Sequence, residues 1–286
     1  ATIDDKDADA ITVVIYGENG TAASREAIIY KNTSVGDFNQ VIYNWTSPPL
    51  RANPNTILLY HFDNDSSYGE NQTWVNDFSS SGLDGKILTA TDKEQAIHGL
   101  GLRIKTTTNI VLTDDSKLNS PNVSRNITIA FWINVTNNAT LSTFPGIIVK
   151  QVDTNNRDYA IFFQNSTKQF LTAFGNGTSQ GGTTSVSGIS QGVWYHFVAT
   201  FQAATRNHTI YINGVVDRST IAGVANSLID TTASLTIGST TGTNFLNSTI
   251  DDLIIMNRTL NADEVRDLYR LKEGIYYWKV NATDSG

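Results

Sequence analysis

Residues 122–140 read NVSRNITIAFWINVTNNAT, and the middle of this stretch alternates strictly. Ile127, Ile129, Phe131, Ile133 and Val135 fall on one side of an extended chain; Asn126, Thr128, Trp132, Asn134 and Thr136 fall on the other. Such a period of two marks a strand that buries one face. In an antiparallel sheet the second face commonly meets water, so Asn126, Trp132 and Asn134 are expected on a wet face.

The same period runs through most of the chain. It marks 57–62 (ILLYHF), 110–112, 146–150, 159–163, 170–174, 194–201, 209–213, 235–237 and 250–256. Turn residues separate these pieces, among them Asn176-Gly177, Gly181-Gly182 and Asn213-Gly214. NHTIYING (207–214) ends on a strong hairpin signal, because Asn-Gly accepts the positive φ angles of a two-residue turn. Many short strands at this spacing predict an all-β, two-sheet antiparallel jelly-roll sandwich. One segment differs. Asn261 followed by Glu264 forms a capping box, and Val265, Leu268 and Leu271 give an apolar stripe. This predicts one short helix near 262–271.

The ends carry strand patterns of their own: ITVVIYG (11–17), EAIIYKN (26–32), QVIYNW (40–45) and GIYYWKVNAT (274–283). The Pro-rich SPPLRANPN (47–55) reads as a linker. The expected organisation is therefore residues 1–50, a central module over 51–272, and a return strand in 273–286, with the two ends forming one smaller sandwich.

Composition narrows the function. A net charge of −7 and a pI near 5.0 exclude the basic surface that nucleic acid requires. Without cysteine there are no disulfides, thiolate metal sites or cysteine nucleophiles. No apolar run reaches the roughly 18 residues of a membrane-crossing helix. The chain begins at Ala1 with no methionine or signal peptide, and is read as a processed protein or an excerpt of a longer one.

Asn-x-Ser/Thr is strongly enriched. Fifteen such sites occur, at Asn19, Asn32, Asn44, Asn64, Asn71, Asn122, Asn126, Asn134, Asn138, Asn165, Asn176, Asn207, Asn247, Asn257 and Asn281. The 28 asparagines of the chain would give about six by chance. The excess points to a secreted chain carrying N-linked glycans. Sugars on a β protein also blunt edge-to-edge aggregation.

Eight pieces carry a family resemblance: LLYHFDND (58–65), VNDFSSSGLDGKI (75–87), GLRI (101–104), ITIAFWINV (127–135), VWYHFVATFQ (193–202), TIYINGVV (209–216), LTIGS (235–239) and IDDLIIMNRTLNADEVRDLY (250–269). In order and spacing they resemble the laminin-G-like jelly roll of the concanavalin A-like lectin/glucanase superfamily. The ends look like pieces of an immunoglobulin- or fibronectin-III-like sandwich. They supply about four strands where such a sandwich has seven, so the missing strands lie outside this chain or come from another subunit.

The resemblance implies three chemistries. Glucanases of the superfamily place two acidic residues two apart on one strand; here Asp251-Asp252 is followed by Leu253, Ile254, Ile255 and Met256, so no catalytic residue is assigned. No Gly-x-Ser-x-Gly or His-Glu-x-x-His occurs, and the four histidines lack metal-ligand spacing. The family often holds a structural Ca²⁺ near its first and last strands, which makes Asp63, Asp251 and Asp252 the candidate ligands. Ca²⁺ takes six to eight oxygens. Sugar binding requires exposed rings; Trp74 and Trp132 are the candidates, Trp132 being either a platform or covered by a second layer. Trp194 is read as core.

The expected function is a non-catalytic, heavily N-glycosylated extracellular structural protein of the cell surface. It would be a subunit or repeat joined head to tail to copies of itself, by strand exchange at the incomplete end sandwich. Dense glycosylation sites without cysteine resemble an archaeal surface protein. The alternative is an adhesin that binds cell-surface carbohydrate; a glycoside hydrolase is a third and weaker reading.

Overall fold

A computed structural model describes residues 11–18, 27–35, 50–89, 92–105, 107–118, 126–136, 143–221, 229–270 and 277–283. The expected strand at 40–45 lies outside them. The chain divides into two compact units, Ala1–Pro48 with Asp267–Gly286, and Pro49–Arg266.

In the first unit, β1 (Ile11–Glu18) pairs antiparallel with β2 (Ala27–Val35) on one side and with β19 (Tyr277–Thr283) on the other. The two ends of the chain therefore share one three-stranded sheet, ordered β19-β1-β2.

The second unit is a two-sheet antiparallel sandwich. One sheet holds β16 (Val215–Ile221), β15 (Asn207–Ile212), β14 (Trp194–Gln202), β9 (Ile127–Val135), β18 (Ser248–Met256), β7 (Leu100–Ile104) and β6 (Lys93–Gln95), in that order, with β3 (Thr56–Tyr60) also paired to β18. The other runs β13 (Gln180–Thr184), β12 (Gln169–Gly175), β11 (Arg157–Gln164), β10 (Gly146–Gln151), β17 (Leu235–Ile237), β8 (Ile110–Leu112), β5 (Gly85–Ile87) and β4 (Trp74–Val75). The core lies between them. Ile127, Ile129, Phe131, Ile133 and Val135 all enter it. Phe131 stacks on Phe197 at 5.1 Å, and Phe197 meets Phe170 of the opposite sheet at 4.6 Å.

The expected wet face of β9 is corrected. Thr128, Ala130 and Trp132 are as buried as the core face, and Asn134 is half-buried. The reason is position: β9 lies between β14 and β18 in the middle of its sheet, and its second face is overlaid. Thr128 Oγ1 donates to Arg258 O at 2.7 Å and accepts from Leu260 N at 3.0 Å, so the segment leading into α1 (Ala262–Arg270) crosses it. Trp132 lies 4.9 Å from the buried ring of His196. It offers no platform to solvent.

Local signals in the sequence hold well. Asn213-Gly214 makes the β15–β16 turn with positive φ at both residues. Asn261 Oδ1 accepts from Glu264 N, and Glu264 Oε2 accepts from Asn261 N, both at 2.9 Å, closing the capping box.

His208 is a polar group on the core side. It is fully buried, meets Phe174 at 4.8 Å, and has Nε2 2.7 Å from Thr172 Oγ1. Burial pushes its pKa down to about 3, against about 6.5 in an unfolded chain. The unfolded state therefore binds the extra proton between these values. Stability is full above pH about 6.5 and is lost as pH falls towards 3. Urea melts between pH 4 and 8 should show this acid loss reduced in His208→Gln. A second test concerns the core: Phe131→Ala should cost about 3–5 kcal/mol, read as a lowered urea midpoint with unchanged slope.

Candidate functional site

One strand changes partners. On one side, β18 pairs with β7 through Ser248–Ile250 and with β3 through Leu253–Met256. Between these segments lie Asp251 and Asp252, at an irregularity where β18 carries one residue more than the facing β9. Such a bulge re-aims side chains. Asp252 adopts a left-handed φ of 47° to make it.

Two chain segments meet at this junction: residues 61–63, leaving β3, and residues 97–99, approaching β7. Asp252 Oδ1 is 2.6 Å from His61 Nδ1, and its Oδ2 is 2.6 Å from His98 Nδ1. A carboxylate can only accept, so both imidazoles donate. Asp251 Oδ2 accepts from the amides of Ile97 and His98 at 3.1 and 2.9 Å. Asp63 Oδ1 accepts from Leu100 N at 2.9 Å. Gly99, at φ +68°, packs so close to this carboxylate that a Cβ would collide with it. Phe62 also takes a left-handed φ, 67°, a costly conformation for a bulky residue. The junction compels it.

The electrostatics follow from burial. Burial alone would raise the Asp252 carboxyl, but the hydrogen bonds and charges of His61 and His98 outweigh it and hold the pKa low. Asp251 is pushed the other way, by burial first and then by the charge of Asp252. Its Oδ1 is buried and accepts no hydrogen bond. Asp63 is also raised, chiefly by burial. The Lys93 ammonium sits 5.5 Å from the Phe62 ring centroid without a hydrogen-bond partner. Burial draws its pKa down to about 8, against the pull of Glu70, Asp63 and Asp251.

The structure thus gathers the three candidate Ca²⁺ ligands into one cluster, but as a set they do not suit that ion. Four of the six carboxylate oxygens already accept protein hydrogens: both of Asp252, one of Asp251 and one of Asp63. Lys93 supplies a positive charge to the cluster. The three carboxylates by themselves therefore do not supply the six to eight oxygens that Ca²⁺ takes. His98, Asp251 and Asp252 have donor atoms all within 4.8 Å of one another, and His98 Nδ1 is already bonded to Asp252 Oδ2. The sequence reading missed His98 and Lys93. Their only signal is proximity in sequence to GLRI, the strand that β18 pairs with.

Of the ring candidates, Trp74 is 39% exposed. It follows a tight turn in which Asn71 N donates to Trp74 O at 3.0 Å. Trp194 is half-buried at the start of β14 rather than in the core.

Residues 105–266 match the family described as the concanavalin A-like lectin/glucanases superfamily, a laminin G-type domain. The chain belongs to this family. The match begins after β7, although β3 to β7 complete the same sandwich. No curated protein matches the sequence. Among solved structures, the binding domain of Paraclostridial Mosquitocidal Protein 1 is similar, with a TM-score of 0.59 and 17% identity over 76% of this chain and 52% of that one. The binding domain of botulinum neurotoxin DC in complex with SialylT gives 0.55 and 16%, over 77% and 52%. The serotype G binding domain gives 0.54 and 18%, over 77% and 52%. The chain spans about half the length of these structures, and the likeness is one of fold.

Asp252→Ala should destabilise the family's sandwich here by about 3–5 kcal/mol, because it strips a buried charged partner from two imidazoles at once. Excess Ca²⁺ or a chelator should leave the melting temperature of the wild type unchanged. A rise with Ca²⁺ would contradict the reading of a cluster satisfied by protein donors.

Proposed function

We propose that this chain is a non-catalytic, N-glycosylated extracellular protein of the cell surface, a repeat or subunit of an assembly built from copies of itself. The observation that carries the reading is where the acceptor asparagines lie. Nine have described side chains: Asn64, Asn71, Asn126, Asn134, Asn165, Asn176, Asn207, Asn247 and Asn257. None is buried, and Asn64, Asn71 and Asn207 are exposed. Asn32 and Asn281 lie in β2 and β19, whose side chains are outside the description, as are Asn19, Asn44, Asn122 and Asn138. At Asn71 and Asn176 the side-chain oxygen accepts from the threonine of the same site, through its N–H and its hydroxyl. The amide nitrogen that a glycan would take makes neither bond, though at Asn71 it donates to Gly69 O at 3.3 Å.

Assembly is supported by the end sheet. Among the described residues, β2 and β19 each pair on one side only. Open edges of this kind invite a strand from another chain, and a head-to-tail contact whose rotation does not close builds a fibre. The absence of cysteine together with dense glycosylation sites favours an archaeal source. The acidic pair of β18 is committed to histidines and backbone amides, which favours a non-catalytic role. Ca²⁺ has no part in this reading.

A second reading, carbohydrate binding, draws on the exposed Trp74 and on Tyr68, 57% exposed in the 3₁₀ turn Ser66–Tyr68. Exposed rings are suited to stacking on sugars. Glycopeptide mass spectrometry of native material should find glycans at Asn64, Asn71 and Asn207, and sedimentation of the full chain should show mass increasing with concentration. Bare asparagines and a constant monomer would overturn the proposal. A glycan-array signal lost in Trp74→Ala would favour the second reading.

A further inference from the structure

Lys150 sits far from the β18 junction in sequence and lies on the core face of β10, paired with Tyr159 and Leu235, both core residues. Its side chain is 0% exposed. A lysine this deep is rare unless paired. The ammonium donates to Thr231 O at 2.7 Å and has two carboxylates beside it: Asp114 Oδ1 at 2.8 Å and Asp158 Oδ2 at 3.6 Å.

The two carboxylates are held differently. Asp158 falls where the β10–β11 register slips between Lys150 and Gln151, and is the extra residue there. Both its oxygens are tied down, Oδ1 accepting from Thr231 N at 3.1 Å and Oδ2 from the Thr231 hydroxyl. Asp114 follows β8. Its Oδ1 is buried and lies close to Nζ, but the two atoms are out of line for a hydrogen bond, and this oxygen accepts none. Its side chain is 25% exposed, so one side opens to water.

We propose that Lys150 and Asp114 condense into an intramolecular isopeptide bond, with Asp158 as the general acid–base that passes the proton. The step balances without an oxidant or co-reactant. One proton moves within the cluster from the Lys150 ammonium to the Asp114 carboxylate, leaving a neutral amine and an ionised Asp158. The Nζ lone pair attacks Cγ of the protonated Asp114 carboxyl. Asp158 takes a proton from nitrogen and returns one to the departing hydroxyl. The C–N bond forms, the C–O bond breaks, and one water leaves towards the exposed side of Asp114.

Three features favour the reaction. Fixed neighbours replace a bimolecular encounter, an advantage worth effective molarities of about 10⁵ M or more. Asp158 is raised above the ordinary carboxylate range, first by burial, with Asp230 adding to it and the Thr231 bonds and Lys150 opposing; a carboxyl that holds its proton is suited to transfer it. A buried ion pair is costly, and the amide removes both charges. The product would staple β10 to the loop after β8.

The test is the intact mass of the full chain, made in a host without N-glycosylation. The wild type should be lighter than its sequence by one water, and trypsin should release a branched peptide joining Asp114 to Lys150, uncut after Lys150. Asp114→Asn should lose one ammonia instead, since the side-chain amide nitrogen is then the leaving group. Asp114→Ala and Lys150→Met should show full mass. Asp158→Asn should stay folded by circular dichroism but keep its water. A folded wild type at full mass overturns the proposal. So does a missing water that maps to Asp84-Gly85 as a succinimide.

Discussion

The sandwich depends on the buried carboxylate of Asp252 between two imidazoles. The strand β18 runs the length of its sheet and takes two different neighbours along one edge, β7 and then β3. Something must hold the point where one neighbour gives way to the other. Asp252 does so by accepting from His61, which leaves β3, and from His98, which leads to β7. The left-handed backbone at Phe62 and Asp252 and the close approach of Gly99 to Asp63 belong to the same junction. Backbone strain of this kind persists only where the surroundings over-determine it. Here two hydrogen-bonded imidazoles, backbone amides on Asp251 and Asp63, and the Lys93 charge do so.

That junction also bears on the proposed function. The superfamily's name includes glucanases, yet the acidic pair on β18 is buried and engaged with the protein itself. The surface carries polar loops, Asn-x-Ser/Thr sequences and, among the described residues, the exposed Trp74. In the end sheet β1 lies between two strands that, among the described residues, each pair on one side only, and the proposed joining of copies would use those edges.

Much of this architecture was legible in the sequence where the signal is local. The alternation of 127–135 gives β9 its boundaries, Asn213-Gly214 gives the β15–β16 hairpin, and Asn261 with Glu264 gives the start of α1. Such signals rest on contacts a few residues apart. What depends on register was not legible. Trp132 follows the parity of a wet face but is buried, because alternation reports which residues share a side and not what covers that side. Asp63, Asp251 and Asp252 lie in one cluster, but His98 and Lys93 beside them come from a loop and a short strand with no pattern of their own. Asp158 turns towards Lys150 through a register slip that no single strand pattern reveals.

The central claim is that this family member is an assembling, sugar-coated surface subunit. Electron cryo-microscopy of native material, unpurified beyond removal of cells, tests it most directly. The account predicts a polymer in which a strand from one subunit completes the end sheet of the next, with sugar density on the asparagines of the sandwich. Separate single particles with both edges of that sheet paired within one chain would contradict it.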